Sequence, residues 1–326
     1  MTRSRSTAGF SLIELMVAVA IMGIVTAQLF IVFANQKRVF QSNDRALDVQ
    51  ESARLTLDLI SFDTRMAGFM VPQYTAVSSV DGGANGPDRL CLSAQGTAGS
   101  GGPLIPSRTK RFLGAVPQAN IADDHVTINT ADLDMDGDGA PDFQQNAGVI
   151  VATETKTYCA RIAGFGPAGG PTTDIQFVAG DTPTAIFAGV ATTDLRVVPA
   201  NVYELDGQLN LRRNNLLLAS QIEDFEVEFW LDNAGTPNGI EDGNTEFPVN
   251  DLNNPDPPGG GIASANDEIR RVRVSVTART IQQDAANAAT GELEYSRPAL
   301  ANRAADPTPD RFRRRSFSAS IAPRNI

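Results

Sequence analysis

Residues 9–34 read GFSLIELMVAVAIMGIVTAQLFIVFA, and this stretch decides how the rest of the chain is read. No charge occurs between Glu14 and Lys37, and from Leu15 to Ala34 only Thr26 and Gln28 are polar. About 20 apolar residues, rising about 1.5 Å each in a helix, cross a hydrocarbon core of about 30 Å, so the run predicts a membrane-spanning helix. Arg3 and Arg5 precede it, and the positive-inside rule then predicts residues 1–9 in the cytoplasm and the bulk of the chain outside. A cleaved secretory signal has a shorter apolar region, about 7–15 residues, ending at a small-x-small site. Here the run is longer and flows unbroken into further helix. A plain signal anchor leaves Glu14, at the front of the run, unexplained.

Working outward, no Pro or Gly occurs from Ile24 through Ala67, and Gly68 and Pro72 are natural stops. One helix is expected from about Ser11 to about Met66, roughly 80 Å long at the helical rise. Leu55, Leu59, Phe62 and Met66 recur at 4, 3, 4 spacing, and Leu57 and Ile60 widen the stripe. Lys37, Arg38, Asp44, Arg45, Asp48, Glu51, Arg54 and Asp58 fall mainly between these positions. The first half of the helix is expected to be membrane or fibre core, and the second half to pack on a globular domain.

Beyond Val71 the composition turns to Gly, Pro, Asn, Asp and β-branched residues. Strands are expected at Val126–Ile128, Val149–Thr153, Thr157–Ile162, Ile175–Val178, Ala185–Phe187, Leu195–Val198, Val202–Leu205, Asn210–Arg213, Ile222–Leu231, Ile269–Thr280 and Ser316–Ile321. The alternation is clearest in Val272, Val274 and Val276 against Arg271, Arg273 and Ser275. Phe225, Val227 and Phe229 alternate with acids in the same way. Loops rich in Gly and Pro are expected over roughly 81–106, 163–174 and 232–264. The fold class is α+β: a long N-terminal helix packed on an antiparallel β-rich head with long loops.

The 326 residues carry a formal net charge of -11, with 42% hydrophobic and 20% charged residues, which suits a globular chain with a real core. The acidic balance argues against a nucleic-acid partner, because duplex affinity is driven by phosphate neutralisation. One histidine, His125, and two cysteines leave little for histidine catalysis or Cys/His zinc sites. No Gly-rich phosphate loop, CxxC, GxSxG or HExxH occurs. An enzyme is not expected.

The block Gly9 to Leu15, GFSLIEL, resembles the processing site of type IV prepilins. The resemblance implies that Gly9 ends a basic leader, that Phe10 becomes an N-methylated mature N-terminus, and that Glu14 is the fifth mature residue. A carboxylate within a membrane helix costs about 2.5–3.5 kcal/mol at mid-depth. A new amine at Phe10 lies about one helical turn away and would offset that cost, in the same chain or a neighbouring subunit. The alternative is that Glu14 only sits in the headgroup zone. Downstream, Gln50, Glu51, Ala53, Arg54, Leu57, Asp58, Asp63, Arg65, Met66, Ala67 and Gly68 resemble a helix of the PilW family of minor pilins. Residues 270–280 and 313–325 look like that family's late strands, although Pro323 stands where the family usually has leucine.

The resemblance divides the chain into a leader at 1–9, a transmembrane or fibre-core helix at 10–35, its amphipathic continuation at 36–68, and an extracytoplasmic head at 69–326. It implies a minor pilin that primes type IV pilus assembly and sits near the tip. The protein would be processed by prepilin peptidase in the inner membrane, as a single-pass protein with a periplasmic head. It would pair through its N-terminal helix with other minor pilins and the major pilin, and then enter the extracellular pilus, beside a tip adhesin. A pseudopilin of type II secretion shares this N-terminus, and a tip subunit that itself binds a surface or DNA is a further alternative.

Three features of the head invite chemistry. Cys91 and Cys159 fit a disulfide in an extracytoplasmic domain, with two buried thiols as the alternative; their apolar flanks suit adjacent strands. In residues 132–143, Asp134, Asp136, Asp138 and Asp142 fall at positions 1, 3, 5 and 9 of a loop with Gly139 at 6, and the Ala140 carbonyl at 7. Oxygen ligands at this spacing wrap calcium, although the position-12 glutamate of an EF-hand is replaced by Gln145. A solvated acidic turn is the alternative. Asn238, Glu241 and Asp242 form a less regular acidic loop. Arg311, Arg313, Arg314 and Arg315 form a basic cluster, read either as a contact for anionic lipid or DNA or as a strand whose arginines pair with the acidic head.

Overall fold

In the computed structural model the described residues are 11–69, 71–82, 86–94, 116–117, 120–121, 124–135, 139–154, 156–166, 170–181, 186–187, 195–232, 268–281, 295–301 and 303–324. The expected acidic loop with Asn238, Glu241 and Asp242, and Ala185 of one expected strand, lie outside them; Ile186 and Phe187 lie in a turn. The chain forms two compact units, Met1–Asp48 and Val49–Ile326.

One helix, α1, runs Leu12–Met66 and contributes to both units. It ends where Gly68 takes a left-handed φ of 81°, a conformation glycine adopts without strain, and the Gly68 amide donates to the Ser93 carbonyl. In the first unit the apolar side chains from Leu12 to Phe33 are exposed, and the helix is long and apolar enough to cross a membrane. Its polar interruption is absorbed locally: the Thr26 hydroxyl donates to the Met22 carbonyl at 2.7 Å, so it needs no outside partner.

In the second unit the buried face of α1 is Ala53, Thr56, Leu57, Ile60, Asp63, Thr64 and Ala67. Leu57 and Ile60 of the expected stripe are buried, but the face that carries Leu55, 63% exposed, and Phe62, 47% exposed, turns outward. At 3.6 residues per turn the two faces lie roughly 130° apart. The head takes the face with small residues and Asp63, where side chains of its sheets provide both apolar and charged partners.

Eleven strands form one sheet: β1 (Val77–Val80), β2 (Arg89–Leu92), β3 (Val116–Pro117), β4 (Asn120–Ile121), β5 (His125–Asn129), β6 (Gly148–Ala152), β7 (Thr157–Phe165), β8 (Thr172–Phe177), β9 (Arg196–Leu205), β10 (Asn210–Arg213) and β11 (Leu216–Ser220). The order is β1-β2-β9-β6-β7-β8-β5-β4, with β3 and β10 also on β9 and β11 on β10, every pairing antiparallel. A second sheet is β12 (Ile222–Asp232), β13 (Glu268–Arg279) and β14 (Arg314–Ile321), in that order.

Two expected strands, at 195–198 and 202–205, prove to be the single strand β9. Pro199 pairs with Val149 on one side; on the other, β3 ends its pairing at Val197 and β2 at Asn201. A proline without an N–H is tolerated in that gap, and the Ser93 hydroxyl donates to its carbonyl at 2.7 Å. β2 also falls inside a stretch expected to be loop.

Cys91 on β2 and Cys159 on β7 are bonded, with a Cα separation of 5.6 Å. They are not on adjacent strands, because β9 and β6 lie between. Strands about 4.8 Å apart would put β2 and β7 about 14 Å apart in a flat sheet. The sheet is therefore rolled, and the disulfide crosses the inside of the roll among Ile150, Ala152, Val198, Ala200 and Val202. Closing this 68-residue separation is worth about 4 kcal/mol in the chain-entropy description. A larger core packs α1 against Phe225, Val227, Phe229, Val272, Val274 and Val276 of the second sheet.

Candidate functional site

Gly9 and Phe10 lie outside the described residues, and the N-terminal site is visible from Ser11 onward. The Ser11 amide donates to Glu14 Oε2 at 2.9 Å, and the Glu14 amide donates to Ser11 Oγ at 3.3 Å. This reciprocal pair is a capping box, satisfying two amides that open the helix. It holds the Glu14 carboxylate at the helix N-terminus, where the aligned peptide dipoles favour an anion. A cation placed at residue 10 would enter the same turn.

In the expected calcium loop, Asp136 and Asp138 lie outside the described residues. Gly139 has a φ of 95°, so the turn at position 6 is made with the conformation that only glycine takes freely. The Gly139 amide donates to Asp134 Oδ2 at 3.0 Å, and the Met135 amide to Asp142 Oδ2 at 2.7 Å. Asp142 is buried, next to buried Phe143, while Ala140 is exposed. Two of the expected ligands thus hold the loop's own backbone. Among the described residues, no three His, Cys, Asp or Glu side chains are grouped to hold a metal.

The basic cluster divides. Arg314 is paired with Glu223 and with Asp310, both at 2.5 Å, whereas Arg311 and Arg315 are exposed. His125 Nδ1 lies 2.7 Å from the Asp124 carboxylate.

Residues 4–27 match the family model described as the prokaryotic N-terminal methylation motif. The chain carries a prepilin-type N-terminus. No curated protein matches the chain, and no solved structure does. The motif supports a type IV pilin-type or pseudopilin-type subunit and a structural part in an assembly. The apolar helix that follows it fits anchoring in a membrane.

Two charged sites of this prepilin-type chain escaped sequence reasoning. Asp63 is fully buried on α1, where it accepts a hydrogen bond from the Tyr203 hydroxyl on β9 and pairs with Arg213 Nη2 on β10 at 2.8 Å. Burial, and then the Asp63 carboxylate beside it, hold the Tyr203 phenol well above its ordinary pKa. The second lies on β12. Its acids were read as the polar half of an alternating strand, yet Asp224, Glu226 and Glu228 are as buried as Phe225 and Val227 on the opposite face. Arginines meet these acids from elsewhere in the chain: Arg297 and Arg303 on Asp224, and Arg273 on Glu228.

Proposed function

We propose that the protein is a minor subunit of the type IV pilus, one that primes assembly in the inner membrane and sits at or near the fibre tip. The observation that carries this reading is the methylation motif at residues 4–27, in register with a capped Glu14 and an exposed apolar helix. The resemblance of residues 45–69 to the PilW family supports the minor-pilin assignment over a major subunit. A disulfide-bonded head suits an oxidising compartment.

In this reading prepilin peptidase cuts between Gly9 and Phe10, and the new amine at Phe10 is methylated. The amine then stands about one helical turn before Glu14 and neutralises it, within the chain or across to the helix of the next pilin. That pairing offsets the cost of a carboxylate in lipid and fixes the axial register of one helix against its neighbour. The head, residues 69–326, is periplasmic before extrusion and extracellular afterwards. A type II secretion pseudopilin is the second reading, because it would carry the same motif.

Intact mass and N-terminal sequencing of protein from native membranes test the processing step. A start at Phe10 is expected; a start at Met1 or beyond Ala34 overturns it. Gly9→Val should leave an uncut precursor absent from fibres. Recovery in sheared pili, with loss of pili on deletion, supports the pilus reading; loss of secretion with normal pili supports the pseudopilin.

The acidic loop is proposed to take one calcium ion through Asp134, Asp136, Asp138, the Ala140 carbonyl and Asp142. The left-handed Gly139 fits such a turn, and the carboxylates that hold backbone amides would share their oxygens with the ion. Sites in extracellular modules bind at about 10⁻⁴–10⁻³ M, so tenfold excess calcium stabilises by about 1.4 kcal/mol. Melting with calcium and with chelator, for the wild type and for Asp136→Ala with Asp138→Ala, tests it. Identical melting in all four conditions assigns the loop to a solvated turn.

A further inference from the structure

The two sheets of the head meet at Asp88. Its amide donates to the Phe225 carbonyl of β12 at 2.8 Å, and its Oδ2 accepts the Val227 amide of the same strand at 2.7 Å. Its Oδ1 accepts the Gly82 amide at 3.0 Å, tying in the turn that follows β1. Asp88 is 1% exposed and lines a cleft of about 340 Å³ together with Gly82, Arg89, Asp181 and Glu204.

Behind it, on β12, Glu226 is fully buried; among the described residues no N–H or O–H group donates to its carboxylate, and its carboxyl shares a hydrogen-bonding contact with that of Asp224. Asp88 faces it from the start of β2, and Asp224 from its own strand. Asp81, after β1, faces Asp88. Ser275 lies opposite on β13, its hydroxyl 2.8 Å from that of Ser318 on β14. The cations are Arg297 and Arg303, and both are bound to Asp224; Arg303 alone also favours an ionised Glu226. Ionising Asp88, Asp224 and Glu226 together would leave a buried excess of negative charge, which a low-dielectric seam does not tolerate.

We propose that the two sheets of the head are joined by a proton-holding seam, Asp88–Glu226–Asp224, which is closed while Glu226 is a neutral carboxylic acid and loosens as its proton leaves. The electrostatics agree. Burial, followed by the nearby Asp88 and Asp224 charges, pushes Glu226 up to about 10. Burial pushes Asp88 up to about 8 against the lowering effect of the Val227 and Gly82 amides. The folded head therefore keeps protons that the unfolded chain releases in the ordinary carboxylate range. Stability is full below that range and falls as pH rises through about 8 and on toward 10. The seam makes the head's cohesion a function of the external medium.

The test uses the full chain in detergent micelles. Amide exchange of Val227, corrected for intrinsic chemistry, should show its opening equilibrium growing about tenfold per pH unit for each linked proton, between about pH 5 and about pH 8. Glu226→Gln keeps the shape of the neutral acid and should reduce that slope by one proton's worth. Isotope-edited infrared spectra with labelled glutamate should show one protonated carboxyl in the wild type at neutral pH, lost as the pH approaches about 10. An unchanged slope in Glu226→Gln overturns the proposal. If that variant does not fold, the wild-type spectrum decides: absence of a protonated glutamate band at neutral pH overturns it equally.

Discussion

Glu14 and Asp63 are acids on one helix, and they are treated in opposite ways. Asp63 is enclosed, with Tyr203 and Arg213 supplied by the head's own strands. Glu14 is exposed and, among the described residues, is held by the cap it makes with Ser11. The apolar side chains around them follow the same division, buried near Asp63 and exposed around Glu14. A charge whose partners lie within the chain serves the fold. In the proposed reading, a charge carried on an apolar surface that the chain leaves uncovered serves the membrane or subunit that covers it.

The comparison is broken most forcefully at Asp63. Asp63→Ala leaves Arg213 buried without its carboxylate and should cost about 3–5 kcal/mol in melting of the full chain, with Arg213→Met on the same background recovering part of the loss. The helix register is tested next. Ile60→Ala, fully buried, should cost about 2–5 kcal/mol, whereas Leu55→Ala, on the exposed face, should stay within about 0.5 kcal/mol. Equal losses at the two positions would mean that the helix docks by the other stripe. Glu14→Ala should leave head melting unchanged and membrane insertion intact, while lowering the amount of subunit recovered in sheared fibres. A drop in head stability in that variant would erase the distinction between the two acids.

Much of the fold was legible where a pattern is local. The helix needed only the absence of Gly and Pro and the stop at Gly68. β10 coincides with its expected bounds; β12 differs from its own by one residue at one end and β13 by one residue at each end, because alternation over ten or so residues in these two is unambiguous. What failed depends on distant partners. β1, reading VSSV, and β11, reading LLLAS, carry no apolar–polar alternation for a period to register. The docking face of α1 was legible only in part, through Leu57 and Ile60: Leu55 and Phe62 offer a second apolar face, and Tyr203 and Arg213, far along the chain, select the one that carries Asp63. In the site, Ser11 and Glu14 form a local signature and the methylation motif confirms the type of N-terminus. The acids of β12 could not be read as buried, since nothing within that strand announces Arg297 or Arg303.

The position of β9 has a consequence for the order in which the head is built. Chains emerge from the ribosome N-terminus first, and β2, β6 and β7 are all made before β9. Yet β9 lies between β2 and β6 in the finished sheet. Until Leu205 is available, β2 and β6 lack the strand that joins them, and each presents an open edge. The two sulfurs, by contrast, are both present once Cys159 has emerged. A bond made at that moment would hold β2 near β7 as a waiting frame, and β9 would enter it as a keystone. The late arrival of one central strand thus gives thiol oxidation a role in timing: it can keep the early half of the head together until the chain that completes it arrives.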